Sequence, residues 1–374
     1  MAPSTIQQLA DYGQSIWLDY INRPMLENGE LKQRIANGLR GMTSNPSIFQ
    51  KAIGTTHDYD QEIIRLKAEG KSAFEIYDAL TIRDIQDAAD CFRDVYERTG
   101  GLDGYVSLEI NPLLAAKVEE QAAEGIRLFE KVDRPNVMIK VPSTEQGYAV
   151  IRTLIGRGIN VNATLIFSLN QYEQVAAAYC AGVSDLQSAG GDLSAVHSVA
   201  SVFVSRIDSV IDKNLEEISA EDAALADEAG DLAGQAAVAN SRIIFERAET
   251  LFGGPQFKAL AAAGANRQRV LWGSTSTKNP AYSDIKYVAE LIARPTVNTV
   301  PEQTLVAFLD HGEVGEAFTA DAAPAREVIA RLKALGIDID EVNAKLLRDG
   351  CAAFDGAFED LLKSIESKAA ALAG

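Results

Sequence analysis

The sequence predicts a (β/α)8 barrel, and three observations carry that prediction. About eight short apolar, β-branched stretches recur along the chain, helical patterns with their own start signals separate them, and in five stretches the polar side chains fall on one parity near the C-terminal end. Strands alternating with helices over this length read as a parallel sheet with crossover helices. A closed barrel of that kind gathers its functional groups at the C-terminal ends of its strands.

In chain order, Met1 to Gly13 is suited to an extra helix ahead of the barrel. Ser15 to Tyr20 then sets Ser15, Trp17 and Asp19 against Ile16, Leu18 and Tyr20. Side chains alternate across a strand, so each set shares a face. Gly38 to Thr43 is the second strand, followed by Asn45 as a helix cap and Pro46 at the first helical position, where a missing N–H costs nothing. Tyr105 to Ile110 places Ser107 and Glu109 opposite Val106, Leu108 and Ile110. Val137 to Val141 puts Lys140 on the face of Met138, and Pro142 ends that strand. Ser143 and Gln146 have capping-box spacing ahead of Tyr148, Ile151, Leu154 and Ile155 at helical period. Ile159 to Leu165 carries Asn162 and Thr164 on its polar parity, and Ser168 with Gln171 repeats the capping-box spacing ahead of Val175, Ala178 and Tyr179. Val199 to Val204 sets Ser201 and Phe203 against Ala200, Val202 and Val204. Arg269 to Ser274 and Thr296 to Val300 complete the strands.

At 374 residues the chain exceeds the usual barrel. The surplus is expected as helices added to one catalytic domain spanning 1–374: the N-terminal segment, an acidic helical insertion at 212–234 and a C-terminal helical segment at 325–374. A formal net charge of -18 argues against nucleic acid and anionic membranes as partners, while a local basic pair still suits a small phosphate. No apolar run approaches a membrane span and the first residues lack a signal-peptide plan, so a cytoplasmic protein is expected. Cys91, Cys180 and Cys351 are scattered, and His57, His197 and His311 share no ligand spacing, so neither a disulfide framework nor a metal centre is expected. No phosphate-binding glycine loop follows a strand, and no cofactor is called for.

Lys140 is the most informative residue, since it lies inside an otherwise apolar strand. Burial disfavours an ammonium, and a neutral amine attacks a carbonyl carbon to give a Schiff base. The competing reading is a lysine whose stem packs on apolar surface while its head reaches water. Other candidates carry structural alternatives too. Asn45 is also a cap, Asp19 and Glu109 fit a cap or an ion pair, Asn162 and Thr164 fit mutual satisfaction in a barrel layer, Ser201 and Phe203 fit barrel filling, and Arg206 fits a helix surface.

Four segments resemble the signature blocks of transaldolase: Gly41 to Phe49 (GMTSNPSIF), Val137 to Thr144 (VMIKVPST), Gly158 to Ser168 (GINVNATLIFS) and Val202 to Asp208 (VFVSRID). The resemblance runs in order from about Leu9 to about Lys368, and the chain's length is similar to that of the longer bacterial branch of the family. It implies a metal-independent transfer of a dihydroxyacetone unit between sugar phosphates in the non-oxidative pentose phosphate pathway, from sedoheptulose 7-phosphate or fructose 6-phosphate to glyceraldehyde 3-phosphate or erythrose 4-phosphate. By resemblance, Lys140 is the Schiff-base lysine, Asp19 the acid/base of carbon–carbon cleavage, and Glu109 with Thr164 the holder of a catalytic water. Asn45 and Asn162 bind substrate hydroxyls, Ser201 and Phe203 wall the three-carbon end, and Arg206 binds phosphate. Where many members carry a second phosphate arginine, this chain has Lys278, which offers charge without a bidentate fork. An aldolase releasing free dihydroxyacetone and a non-catalytic sugar-phosphate sensor are the alternatives in other classes. The sequence is compatible with a monomer or a homodimer.

Overall fold

The computed structural model describes residues 3–372. Eight strands, β1 (Gln14–Asp19), β2 (Gly41–Thr43), β3 (Val106–Glu109), β4 (Val137–Pro142), β5 (Val161–Ile166), β6 (Ser198–Phe203), β7 (Arg269–Gly273) and β8 (Thr296–Val300), close into a barrel in sequence order. Every neighbouring pair, including β1 with β8, is parallel.

The parity read from the sequence is the one the barrel uses. Ile16, Leu18, Val137, Ile139, Val141 and Val161 pack outward into the continuous core beneath the helices. Trp17, Tyr105, Met138, Val199, Leu271 and Val297 form a separate interior cluster. Gly41 is a glycine for this reason: a Cβ there would lie 2.6 Å from the Trp17 ring. Below that layer Arg269 and Asp103 form a buried ion pair at 2.8 Å, and Ser15 bridges them through Asp103 Oδ2 at 2.7 Å and Arg269 Nη1 at 3.1 Å. A buried pair is tolerable only when its remaining hydrogen-bonding capacity is used, as it is here. The N-terminal end of the barrel is therefore plugged, and an open cavity has to lie at the other end.

Three local differences from the sequence pattern have physical reasons. Strand β2 begins only at Gly41, because Gly38 takes φ +111, outside the extended region, where a Cβ would lie 2.6 Å from Gln7 Cγ. The helix after β4 (Glu145–Gly156) is capped by Thr144, whose hydroxyl accepts from Gly147 N at 3.0 Å, so the expected Ser143–Gln146 box does not form. Leu165 sits at φ 59 beside a register shift between Ala163 and Ile166, a bulge that bends the end of β5. The Asn45 cap with Pro46 behind it and the Ser168–Gln171 capping box are both present.

Beyond the barrel, a helix at Thr5–Tyr12 opens the described chain, and Met1 and Ala2 lie outside the described residues. The acidic stretch 212–234 consists of the later turns of the helix after β6 (Ser205–Glu221), a connection, and a short helix at Ala226–Leu232. Helices at Ala323–Ala334 and Ile339–Leu372 follow β8 and its own helix. In the last of these Phe354, Phe358, Leu361 and Ile365 are buried, a spacing that lays one face across the helices that follow β2 and over the barrel mouth. Among the described residues no helix is long and apolar enough to cross a membrane.

Candidate active site

At the C-terminal end of the barrel lies a cavity of about 280 Å³. Its lining includes Asp19, Asn45, Lys140, Thr164, Ser201, Phe203, Arg206 and Lys278 from the sequence-predicted set. Strand register explains the assembly. Glu109 pairs with Lys140 and Lys140 with Asn162, so residues of one parity on three adjacent strands form a row inside the barrel. Asp19 pairs with Thr43 on the other side.

Lys140 is 4% exposed, its Nζ donating to Ser44 O at 3.1 Å and lying 5.9 Å from the Phe354 ring centre. Glu109 Oε2 is 3.6 Å from that nitrogen, within ion-pair range and beyond a hydrogen bond. Glu109 does not line the main cavity. It lies behind Lys140 in a small adjoining space bordered by Leu165, Cys351 and Phe354. Burial pushes its carboxyl up to about 7; the Lys140 charge opposes this and the Asp19 charge adds to it. Oε2 of Glu109 and Oγ1 of Thr164 are both buried without a hydrogen-bond partner among the described residues.

Asp19 is partly exposed at the end of β1 and accepts from Thr43 Oγ1 at 2.7 Å; Thr43 in turn meets Thr299 Oγ1 at 2.7 Å. Asn45 combines two duties. Its Oδ1 caps the next helix through Ile48 N at 3.0 Å, while the residue lines the cavity. Asn162 lies deeper, donating to Ser107 Oγ at 3.0 Å and accepting from Ser201 Oγ at 2.6 Å, and is not among the lining residues. Phe203 stacks edge-on against Phe167 at 5.5 Å and lies 5.3 Å beneath the Arg206 guanidinium.

Three cations gather on one side. Arg206, at the start of its helix, is held below its ordinary pKa by burial, with the Asp19 charge opposing. Lys278, on the connection after β7, donates to Ser276 Oγ at 2.6 Å. Burial first, then the positive charges of Arg206 and Lys51, hold its ammonium below the ordinary lysine value. No carboxylate pairs with Arg206, Lys278 or Lys51 within 4.0 Å among the described residues, so three uncompensated cations converge in a protein of net charge -18. Such a site suits a phosphate dianion.

Sequence reasoning did not single out Thr43, Lys51, Ser274, Ser276, Thr299 and Phe354, all of which line the cavity. Thr43 and Thr299 lie at strand ends on the interior parity, so the rule that found Asp19 would have reached them. Lys51 follows the Asn45 cap by six residues in a π-helical turn (Gln50–Gly54), and Phe354 arrives from the distant C-terminal helix; neither has a local signal. Among the described residues no group of three His, Cys, Asp or Glu side chains has metal-binding geometry.

Residues 16–365 match the family model described as transaldolase/fructose-6-phosphate aldolase. The chain is 47% identical over 369 residues to transaldolase 1 of Streptomyces coelicolor, covering 97% of this chain and 95% of the relative. It is 44% identical to the transaldolase of Saccharopolyspora erythraea, and 42% identical to that of Trichodesmium erythraeum, with 98% of each chain covered in both cases. With such matches over nearly its whole length, the chain belongs to the transaldolase/fructose-6-phosphate aldolase family.

Proposed function

We propose that the chain works as a transaldolase in the cytoplasm, moving a dihydroxyacetone unit from a ketose phosphate to an aldose phosphate through a covalent adduct on Lys140. The observation that carries this assignment is a buried lysine with a buried carboxylate 3.6 Å away, in a cavity whose far side holds three unpaired cations. Three unpaired cysteines fit a reducing compartment.

The steps follow from the groups present. Lys140 Nζ gives a proton to Glu109 and, as the free amine, adds to the C2 carbonyl of the ketose, the proton of the added nitrogen passing to the C2 oxygen through a water held by Glu109 and Thr164. The resulting carbinolamine loses its hydroxyl as water, taking a proton back from Glu109, to leave an iminium. Asp19 then takes the proton of the C4 hydroxyl while the C3–C4 bond breaks. The bonding pair moves to the iminium, giving an enamine on Lys140 and a free aldehyde. When the acceptor aldehyde binds, C3 attacks its carbonyl carbon, Asp19 returns the proton to the new oxygen, and hydrolysis of the iminium releases product. Asn45 and Ser201 hold the three-carbon hydroxyls directly, and Asn162 does so through Ser201, its hydrogen-bonding partner. Phe203 and Phe354 limit water around the enamine, which has to survive until the acceptor arrives.

Arg206, Lys278 and Lys51 take the phosphate. Arg206→Ala is expected to raise KM for fructose 6-phosphate by about 10- to 100-fold, the scale of one to two lost charge-assisted hydrogen bonds. Its effect on an unphosphorylated ketose should be small, and steady-state kinetics on both donors checks the difference. Lys278→Arg should tighten phosphate binding or leave it unchanged.

The lyase reading has one test that separates it from transfer. With fructose 6-phosphate and erythrose 4-phosphate together, sedoheptulose 7-phosphate should form much faster than free dihydroxyacetone, and comparable rates would identify a lyase. The same assay should be insensitive to EDTA, because the iminium supplies the electron sink that a divalent ion supplies in metal aldolases. Loss of activity restored by a divalent metal would contradict this.

A further inference from the structure

Two of the three cations assigned to phosphate, Arg206 and Lys278, stand on different elements, and their like charges push them apart. Arg206 is on the first turn of the helix Ser205–Glu221, and Lys278 is on the long connection between β7 and β8. The same helix also carries Asp208 and Asp212, one turn apart and 1% and 8% exposed. Neither takes part in a salt bridge among the described residues, and a buried carboxylate without a cation must spend its oxygens on strong donors.

Each carboxylate divides its oxygens in the same way. Asp208 Oδ2 accepts from Tyr287 OH and Asp212 Oδ2 from Tyr282 OH, both at 2.8 Å. Both tyrosines belong to the connection that carries Lys278. The other oxygens accept from backbone: Asp208 Oδ1 from Ala237 N at 2.7 Å and Asp212 Oδ1 from Gly234 N at 2.8 Å. Gly234 itself stands at φ +71, and a Cβ there would come within 2.7 Å of Tyr282 Cζ, so the end of the acidic stretch is pressed against the same ring. Lys286 lies 5.4 Å and 5.9 Å from the centres of the Tyr282 and Tyr287 rings. Two parallel straps thus tie the Lys278 connection to the Arg206 helix, with the acidic stretch as their backing.

We infer that Asp208 and Asp212, with Tyr287 and Tyr282, are positioning residues that fix the spacing between Arg206 and Lys278 and so set the preference for phosphorylated over unphosphorylated substrates. This rests on the reading of Arg206 and Lys278 as the phosphate cradle. None of the four lines the cavity, and none takes part in the covalent chemistry. The acidic stretch then acts from within the molecule, through the backbone amide of Gly234 and its contact with Tyr282.

The test uses Tyr282→Phe, Tyr287→Phe and the double variant, which remove only hydroxyls and leave the rings in place, beside Arg206→Ala and the unmodified chain. Kinetics would be measured with fructose 6-phosphate and with fructose, together with inhibition by inorganic phosphate and the melting temperature. The double variant should raise KM for fructose 6-phosphate and the inhibition constant for phosphate together by about 5- to 20-fold, the scale expected when a binding group is displaced rather than removed. Its kcat should stay within about 2-fold, and kcat/KM for fructose should be unchanged, because the reacting groups are untouched. Each single variant should show a smaller shift of the same kind, which keeps the result readable if the double variant folds poorly. A fall in melting temperature with an unchanged substrate preference would mean that the straps only hold the fold, and the inference would be wrong. Equal losses on both donors would overturn it as well. If Arg206→Ala itself leaves the preference intact, the cradle reading fails; if it shifts the preference and the tyrosine variants do not, the cradle stands and the positioning role falls.

Discussion

Lys140→Met is expected to abolish the covalent adduct and to lower turnover by at least about 10⁴-fold, the order seen when a covalent nucleophile is removed from an otherwise intact site. Methionine preserves most of the apolar stem of this buried side chain, so the loss reports the amine rather than a collapsed core. Incubation with fructose 6-phosphate and borohydride should label the peptide containing Val137 to Val141 in the unmodified chain and no peptide in the variant. Lys140 has a position that no other lysine in the site shares. Its Nζ is held by Ser44 O and lies beside the only other fully enclosed ionisable group named in the mechanism, Glu109, whereas Lys51 and Lys278 stand on the phosphate side. Labelling of either of those lysines, or persistence of an adduct in the variant, would reject the assignment.

Parity was the legible part of this molecule. A parallel barrel buries both faces of its strands, yet it still separates them chemically, with aliphatic side chains toward the helices and polar or aromatic ones inside, and that contrast survives in the one-dimensional pattern. Asp19, Glu109, Lys140, Thr164, Ser201 and Phe203 were found this way, and the structure places them inside the barrel, all but Glu109 lining one cavity. Parity does not give depth along the barrel axis. Asn162 has the same parity as Thr164, but closure of the sheet leaves it one layer lower, satisfied by Ser107 and Ser201. Contacts made by connections and by the distant C-terminal helix were not legible either. Phe354 reaches Lys140 only because the last helix is drawn across the mouth, and the Asp208–Tyr287 bond joins residues 79 positions apart. At Ser143, spacing alone could not tell which of two adjacent hydroxyl residues caps the helix; Ser143 is still tied to β5 through its N–H to Thr164 O at 2.8 Å, and Thr144 is the cap. Lys51 was hidden for a different reason: a π-helical turn shifts the facing of every later residue, so helical periodicity cannot place it.

The two carboxylates should separate when removed one at a time. Glu109→Gln is expected to slow formation of the borohydride-trappable adduct, whereas Asp19→Ala should let the adduct accumulate while turnover falls by about 10²-fold or more, the usual scale for a lost acid/base group. Their environments differ as the duties require. Glu109 is enclosed, and burial holds its carboxyl up to about 7, so it can both accept the proton Lys140 gives up before it attacks and return it to the departing hydroxyl near neutral pH. Asp19 is partly exposed, lines the cavity and has one oxygen occupied by Thr43, which leaves the other for a substrate hydroxyl. The pH dependence carries the sign. Dehydration of the carbinolamine needs protonated Glu109, a form that predominates below about 7 and disappears above it, so the dehydration rate should decline as pH rises through that value. In Glu109→Gln this inflection should vanish, while in Asp19→Ala it should remain, since the first half of the reaction still runs through Glu109. Rapid-quench trapping across pH 5.5 to 9 (about the span over which a group near 7 changes state) measures both. If each variant lost adduct formation and turnover in equal proportion, or if the inflection persisted without Glu109, two separate proton-transfer duties could not be upheld, and a single carboxylate would have to serve both halves of the reaction.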